Sequence, residues 1–510
     1  MKEPQSYNRI HSRNQRLPNL FGLFLILALL LAACGPGNNA NGTNGGTLGP
    51  GGAGEVPGET PLATSPAGGI GDGAEETPAE TDATEPAAGE TEPAAGETET
   101  ALVPETGAET TRQPGTIQMA VVRGAMREVM EPMAAAYEEQ NPGTDVEIVE
   151  EPEGGAFEAL IAAGNQPDII VGSFGSMIGR LAEMDALAPI EEMEGAQELF
   201  GRLDEATVQQ VYGSNYYVPM GADVTLMIYN KQLFEEAGLD PEDPPATWDE
   251  FLAAAEAIYA LPARDGNKIY GTVFWNEALA FGGWYWNMLQ PMYLNANQNS
   301  CQLLNRLGTD ITFDDPECNL EAFFEFNRAA QQFAPPTMET SFFSRTIGMW
   351  PQYGYSWEPN LETAADEPMV IGQDVGVAPV PVPNEGDTSY TTYGGRPLMI
   401  MRTTPDREQR AWDFVRFLME DENNLQIIQE LGYLPVITSL KDNEYFQDPA
   451  RAPFVDALEN AVFPELVENA EDVANTIQGV YQEAAVEGSL PPDQAVEEAA
   501  ERAREVLNQQ

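Results

Sequence analysis

The stretch Tyr216–Ala255 constrains the fold more than any other part of the chain. It contains Val224–Tyr229, an apolar and β-branched run of the kind that is buried in a sheet. A short amphipathic helix is expected next, over residues 231–237. Gly238 marks the end of this helix, because glycine readily adopts the left-handed conformation that closes helices. The stretch therefore predicts a buried strand that leads directly into a helix.

The alternation of strand and helix extends on both sides of this pair. Thr247 and Glu250 have the spacing of a capping box at the start of a further helix. Upstream, strands are expected at residues 116–122, 145–149 and 166–171, with helices at 127–140 and 157–163 between them. This alternation predicts an α/β fold with a mainly parallel sheet covered by helices on both faces.

Candidate binding residues follow two of these upstream strands. Ligands of open α/β sheets bind outside the carboxyl ends of the strands. Arg123 follows the first strand, and Ser173 and Phe174 follow the third. We therefore expect these three residues at the mouth of a cleft.

The N-terminus is typical of a lipoprotein signal peptide over residues 1–33. A basic region precedes the apolar run Leu20–Leu31, which is shorter than the roughly 20 residues that a membrane span needs. The run ends in Leu31–Gly35, a lipobox-like sequence that would leave Cys34 as an acylated first residue. We expect a lipid anchor at Cys34 and an extracytoplasmic location; an ordinary signal peptide is the alternative.

Residues 34–114 have the composition of a disordered tether. Between residues 35 and 114 the chain has no aromatic residue and is dominated by Gly, Pro, Ala, Thr and Glu. The unit TEPAAGE occurs twice, at residues 84–90 and 91–97. Such a segment buries too little apolar surface to offset its ordering entropy, and about 80 flexible residues would span roughly 50 Å.

Charge and histidine content exclude several function classes. The chain has 82 acidic and 24 basic residues, so we expect no nucleic-acid partner. Its one histidine, His11, lies in the signal peptide. The mature protein would have no imidazole base and no His-ligated zinc, and we predict no cofactor and no metal.

Several short motifs occur in a fixed order within Tyr216–Ala255. They are Val218–Pro219, Ile228–Lys231, Leu233–Phe234, Ala237–Leu239 and Thr247–Phe251. Together they resemble the signature of bacterial extracellular solute-binding proteins of the sugar-binding, maltose-binding-protein-like type, the receptors of ABC importers. The resemblance extends in order from Gly115 to Leu507.

This resemblance implies a two-lobed periplasmic-binding-protein-like fold with a hinge and an interlobe cleft. Lobe 1 is expected at residues 115–222 and 376–431, lobe 2 at 223–375 and 432–510, and the hinge strands near 220–223, 374–377 and 431–434. A monomeric, membrane-anchored receptor would close on a sugar or oligosaccharide and deliver it to separate permease subunits. It would not be an enzyme.

Aromatic residues are the expected stacking surfaces for sugar rings, whose C–H faces are apolar. Trp275 and Trp284 lie in the most aromatic segment of the chain, around Gly282–Gly283. Tyr355 and Trp357 alternate along a stretch expected to be extended, so they would share one face. Each of these four residues would also suit a core position, and both interpretations stay open.

Polar candidates complete the expected site. Asp223 lies just before the expected strand and would accept hydrogen bonds from hydroxyls, or it is an exposed loop acid. The pair Gly394–Gly395 resembles a loop where family backbones approach the ligand. Arg396 stands where the family more often has an aromatic or small residue, and with Arg123 it would also suit a carboxylate or phosphate. Tyr433 lies in another family landmark, residues 432–436.

Cys301 and Cys318 are the other two cysteines. An even pair this close in an exported protein predicts a disulfide, and a metal site is the weaker alternative. Two other function classes also fit a surface lipoprotein: a glycoside hydrolase, which needs a pair of carboxylates, and a carbohydrate sensor or adhesion module without transport.

Overall fold

The structure is a computed structural model that describes residues 115–122, 124–151, 156–274, 284–337, 342–355 and 368–509. Cys34 and the expected signal peptide and tether lie outside the described residues, as do Arg123, Trp275 and Trp357. Within the described ranges, no helix combines the length and the apolar character needed to cross a membrane.

Nine strands of the described chain form one mixed sheet. They are β1 (Thr116–Val121), β2 (Asp145–Glu150), β3 (Ile169–Val171), β4 (Val218–Asn230), β5 (Tyr270–Thr272), β6 (Ile347–Gly354), β7 (Val375–Ala378), β8 (Thr391–Ile400) and β9 (Ala461–Val462). The order across the sheet is β2-β1-β3-β8-β4-β6-β5, while β7 pairs with β4 and β9 with β8. β1, β2 and β3 are parallel, as the sequence predicts. The expectation of a mainly parallel sheet is wrong for its centre, because β8 pairs antiparallel with β3 and β4 pairs antiparallel with β6, β7 and β8.

Helices cover this sheet. They are α1 (Ala125–Gln140), α2 (Ala156–Ala162), α3 (Ser176–Glu183), α4 (Ala196–Phe200), α5 (Lys231–Ala237), α6 (Trp248–Tyr259), α7 (Trp284–Asn297), α8 (Leu320–Gln331), α9 (Pro405–Leu418), α10 (Asp421–Leu431), α11 (Ala452–Ala457), α12 (Ala470–Tyr481) and α13 (Pro492–Asn508). A π-helical segment, Gln482–Val486, continues α12.

β4 divides the sheet into two halves. Residues 218–224 pair with β8, whereas residues 225–230 pair with β6 and β7. We call the half with β1, β2 and β3, together with α1, α9 and α10, the first lobe. The second lobe is the half with β5, β6 and β7, together with α5 to α8, α12 and α13. Because β4 and β8 run side by side at this junction, they join the lobes.

The central prediction, a strand followed by a helix, is confirmed. α5 spans the expected residues, and Gly238 follows it in the left-handed conformation with φ 78°. The capping box of Thr247 and Glu250 is present at the start of α6. β4 is longer than expected because its buried run continues upstream, so Asp223 lies within the strand and not before it.

The expected loop at Gly394–Gly395 is wrong, because both glycines belong to β8. Gly395 has φ 121°, and a Cβ there would lie 2.1 Å from the Gly221 oxygen of β4. The close approach of β4 and β8 therefore explains why glycine is needed at position 395, and no contact with a ligand is required.

The predicted boundary between lobes at residues 375 and 376 also differs from the structure. β7 pairs with residues 227–230 of β4 and so belongs to the second half of the sheet. The chain reaches the first half only within β8, whose residues 393–398 pair with residues 218–224. The other expected lobe boundaries stay a prediction.

The structure brings the two cysteines of the predicted disulfide together. Cys301 and Cys318 are bonded, with their Cα atoms 5.3 Å apart. We call residues 301–318 the disulfide loop. Within it, Leu304 and Ile311 form an isolated β-bridge, and Pro316–Cys318 forms a 3-10 turn that leads into α8.

Candidate ligand-binding cleft

Arg396 brings three of the predicted residues together beside the carboxyl end of β3. It projects from β8, and its Nε donates to the Tyr433 hydroxyl over 2.9 Å. Its Nη1 donates to Ser173 Oγ over 2.7 Å and to the Gly172 carbonyl over 3.4 Å. The guanidinium thus fixes two hydroxyl groups at the edge where ligands of such sheets bind.

Glu151, which the sequence reasoning missed, joins this group. It is half-buried and directly follows β2, and its amide donates to the Val121 carbonyl over 2.9 Å. Burial raises the pKa of its carboxyl, and the charge of Arg396 lowers it in part. The signal that could have found it is its position. Glu151 follows the carboxyl end of a parallel strand, as Ser173 does after β3. Its carboxylate suits a solute hydroxyl.

Asp223 and Gly394 lie opposite each other where β4 changes partners. They are paired residues of β4 and β8, and a Cβ on Gly394 would lie 3.2 Å from the Asp223 Cβ. A third segment joins them, because Ala222 and Leu434 exchange backbone hydrogen bonds of 3.0 and 2.8 Å. Tyr433 is thereby held beside the junction of the lobes.

Phe174 and Tyr355 occupy buried positions. Phe174 is 5% exposed and packs edge-on against Tyr217, Tyr393 and Phe463 at centroid distances of 5.0 to 5.3 Å. Tyr355 is fully buried, with its ring 5.2 Å from that of Phe454. Trp284 begins α7, but its side chain lies outside the described residues. Trp286 in the same helix is buried.

The two lobes touch between α3, which follows β3 in the first lobe, and residues 463–471, which lead into α12 of the second lobe. We call residues 463–471 the facing segment. Ser176 Oγ of α3 donates to Glu471 Oε2 over 2.9 Å. A Cβ on Gly179 would lie 2.3 Å from the Leu466 oxygen, so only glycine permits this approach. Sequence reasoning missed these residues, although a glycine inside a helix is costly and hints at close packing.

A further contact crosses between the lobes nearby. The Glu468 amide donates to the Tyr212 hydroxyl over 3.1 Å. Phe463 at the start of the facing segment packs on Tyr393 at 4.1 Å and on Phe174 at 5.3 Å. The facing segment thus closes against the first lobe through polar, backbone and aromatic contacts.

Comparison with known sequences places this geometry in context. Residues 123–425 match the sequence model of the family described as bacterial extracellular solute-binding protein. The chain is 26% identical over 379 residues to the maltotriose-binding protein of Pyrococcus abyssi (strain GE5 / Orsay), covering 70% of this chain and 74% of that protein. It is 23% identical over 416 residues to an sn-glycerol-3-phosphate-binding periplasmic protein of Pectobacterium atrosepticum, covering 71% and 85%.

Comparison with solved structures supports the same fold. The cyclic alpha-maltosyl-1,6-maltose binding protein of Arthrobacter globiformis aligns with a TM-score of 0.66 at 22% identity. The alignment covers 78% of this chain and 100% of that chain. The two-lobed α/β prediction is thereby confirmed.

Proposed function

This chain belongs to the bacterial extracellular solute-binding protein family, and we propose that it captures a carbohydrate between its lobes and delivers it to the permease of an ABC importer. The group formed by Arg396, Ser173, Tyr433 and Glu151 carries the proposal. It lies at the ligand-binding edge of the first lobe and beside the strands that join the lobes. Closure would add contacts that an open form lacks, so solute would shift the population toward the closed form.

The charges of the group favour a neutral solute. The Nε and Nη1 donors of Arg396 are committed to protein oxygens, and Glu151 lies within reach of its charge. The hydroxyl and carboxylate oxygens and the Nη2 donors of Arg396 remain as partners of a solute, and this mixture of donors and acceptors suits sugar hydroxyls. The relative from Pyrococcus abyssi is a maltotriose-binding protein, while that from Pectobacterium atrosepticum binds sn-glycerol 3-phosphate. We favour a sugar or oligosaccharide.

Five further predicted residues belong to the proposal on sequence grounds. Arg123, Trp275, Trp284 and Trp357 are proposed to line the cleft, with Asp223 at the junction. The chain is proposed to act as a monomer without cofactor, metal or catalytic activity, held by a lipid on Cys34 at the outer face of the cell membrane. Steady glycan cleavage by the purified protein would count against this assignment.

A thermal-shift titration tests the solute class. Maltotriose, maltose, glucose and sn-glycerol 3-phosphate are added separately, and a ligand at 100 times its Kd should stabilise by about 2.7 kcal/mol. We expect stabilisation by a neutral sugar, weakened at least about tenfold in Kd by Arg396→Met because that change releases Ser173 and Tyr433. Arg264→Met is the matched control, since Arg264 pairs with exposed Glu236 in the second lobe. Response to the phosphate alone would reject the neutral solute.

A further inference from the structure

The disulfide loop holds the facing segment through a carboxylate that points into it. The amide of Leu303 donates to the Glu465 carboxylate, the neighbouring amide of Leu304 also favours its ionised form, and both leucine side chains are buried. Burial raises the pKa of this carboxyl, while the amides that point at it favour the ionised form. Glu465 therefore ties the backbone of the disulfide loop to the facing segment.

A second pair of contacts lies a few residues further along the facing segment. Gly308 of the disulfide loop has φ 69°, and a Cβ there would lie 3.0 Å from Val467 Cγ2. Its carbonyl accepts a hydrogen bond of 3.2 Å from Asn469 Nδ2. The disulfide loop is thus packed along residues 465–469.

The opposite side of these residues meets the first lobe. Gly179 of α3 approaches Leu466, and Tyr212 accepts from the Glu468 amide. Between β9 and α12, residues 463–469 have no helix or strand of their own. Their position therefore depends on their neighbours. Within their own lobe these include α7, whose Gln290 donates to the Phe463 carbonyl, and the disulfide loop, which contacts residues 465–469.

We propose that the disulfide loop, acting through Glu465, Gly308 and Asn469, positions the facing segment for contact with α3, so that the Cys301–Cys318 bond raises solute affinity from outside the ligand site. Contacts made only when the lobes meet stabilise the closed form. Loss of the bond lets the loop and the facing segment shift, which weakens these contacts. Glu465 is a positioning residue and need not touch solute. The inference rests on the proposed closure around a solute, but not on that solute's identity.

Hydrogen–deuterium exchange of the full-length protein tests the proposal without ligand. The reporter is the Glu468 amide, because its partner, Tyr212, lies in the other lobe. We expect the double change Cys301→Ser and Cys318→Ser, and separately Asn469→Ala, to speed its exchange at least about threefold. Ile258→Ala is the matched control, since Ile258 is buried in α6 of the same lobe. In Ile258→Ala, the Glu468 amide should exchange at the same rate as in the unaltered protein.

Binding of maltotriose supplies the second measurement. We expect about fivefold weaker binding in the double serine and Asn469→Ala variants, the size of one net hydrogen bond, and unchanged binding in Ile258→Ala. Unaltered exchange at Glu468 in folded Asn469→Ala and double serine proteins would overturn the proposal. So would an equal acceleration in Ile258→Ala, because global destabilisation would then explain it. Failure of the unaltered protein to bind maltotriose would count against that solute alone, since the exchange measurement still decides the role of the loop.

Discussion

Arg396 is the residue at which three segments of the chain meet. It comes from β8, and it holds Ser173 after β3 and Tyr433 after α10. An arginine can do this because its planar fork carries several donors in fixed directions. A lysine could not reach the same partners with the same geometry, so Arg396 acts first as an organiser of hydroxyl groups.

Glu151 predicts a specific pH dependence of solute binding. Its carboxylate is the expected acceptor for a solute hydroxyl, and its pKa lies above the ordinary glutamate value because of burial. Affinity should therefore fall as the pH drops through this raised pKa, earlier than an exposed glutamate would allow. Calorimetric titration of the protein with the sugar that it binds, from pH 7 to pH 4, measures how the Kd changes with pH. Glu151→Gln should bind more weakly at pH 7 and lose this dependence.

The raised pKa of Glu151 has the opposite effect on folding stability, which it increases at low pH. The folded protein holds the Glu151 proton more tightly than the unfolded chain does, because the folded pKa is the higher one. The contribution of Glu151 is therefore greatest below the unfolded pKa and is lost as the pH rises through the folded pKa. A flat affinity profile in the unaltered protein, together with a stability difference between it and Glu151→Gln that does not change with pH, would contradict both predictions.

Gly395 and Gly394 form a matched pair for substitution. Gly395→Ala places a methyl group 2.1 Å from the Gly221 oxygen and forces a side chain to adopt φ 121°. We expect it to lower the free energy of unfolding by more than about 2 kcal/mol. Gly394→Ala meets Asp223 at 3.2 Å without that strain, so its loss should be smaller. Urea denaturation of both variants measures the difference, and equal losses would contradict the strand assignment.

Residues of the site were predictable where a strand end or a family motif marked them. Ser173 follows a predicted strand, and Arg396 and Tyr433 lie in or beside motifs. Glu151 was missed because it lies among several acids, Glu150, Glu151 and Glu153, and nothing local distinguishes one from the next. Ser176 and Gly179 acquire their roles from the other lobe, which no local pattern reveals.

At the level of elements, the segment from β4 to α6 followed from sequence because its signals are local. An apolar run, a helix-ending glycine and a capping box each act within a few residues. The prediction of a loop at residues 394–395 was wrong because the signal for β8 is not local. Gly394 and Gly395 carry no side chains, so they cannot show the alternation of apolar and polar residues that marks a strand. Their strand conformation depends on pairing with β4.

The capping box at the start of α6 gives a prediction at this scale. Thr247 Oγ1 accepts from the Glu250 amide, and the Glu250 carboxylate accepts from the amides of Thr247 and Ala246. Thr247→Ala should lower the free energy of unfolding by about 1 kcal/mol, because it leaves a helix amide without its acceptor. Thermal unfolding monitored by circular dichroism measures it. Thr247→Ser, which keeps the hydroxyl, should cost less; equal losses would speak against the cap.

For the whole molecule, the excess of acids predicts a response to salt. The chain carries 82 acidic and 24 basic residues, and like charges repel one another in the compact state. Raising the salt concentration from about 10 mM to about 150 mM shortens the screening length from roughly 30 Å to roughly 8 Å. The melting temperature should therefore rise over this interval, as calorimetry can test. A fall would show that the ion pairs outweigh the repulsion.

Membrane attachment is the second prediction at this scale. If Cys34 carries the proposed lipid, Cys34→Ser should move the protein from the membrane fraction to the medium or periplasm, because a thioether-linked lipid requires the sulfur. Cell fractionation followed by immunoblotting measures how the protein is distributed between the membrane and the soluble fractions. Cys301→Ser is a control that also replaces a cysteine but leaves the anchor, and this variant should stay with the membrane.

The lobe boundaries were the least predictable feature of the whole molecule. Assigning residues 376–390 requires knowing which half of β4 receives β7, and both halves are almost entirely buried. Only the three-dimensional pairing decides, and it keeps β7 with residues 227–230.

The continuous passage of β4 and β8 between the lobes has a mechanical consequence. Two antiparallel strands bonded along their length resist stretching and sliding, since either motion would break several backbone hydrogen bonds together. Bending across the ladder breaks few of them. We therefore expect opening to be confined to rotation about one line near Asp223 and Gly394, where β4 and β8 are paired. One distance measured between a label on each lobe should then describe the whole motion.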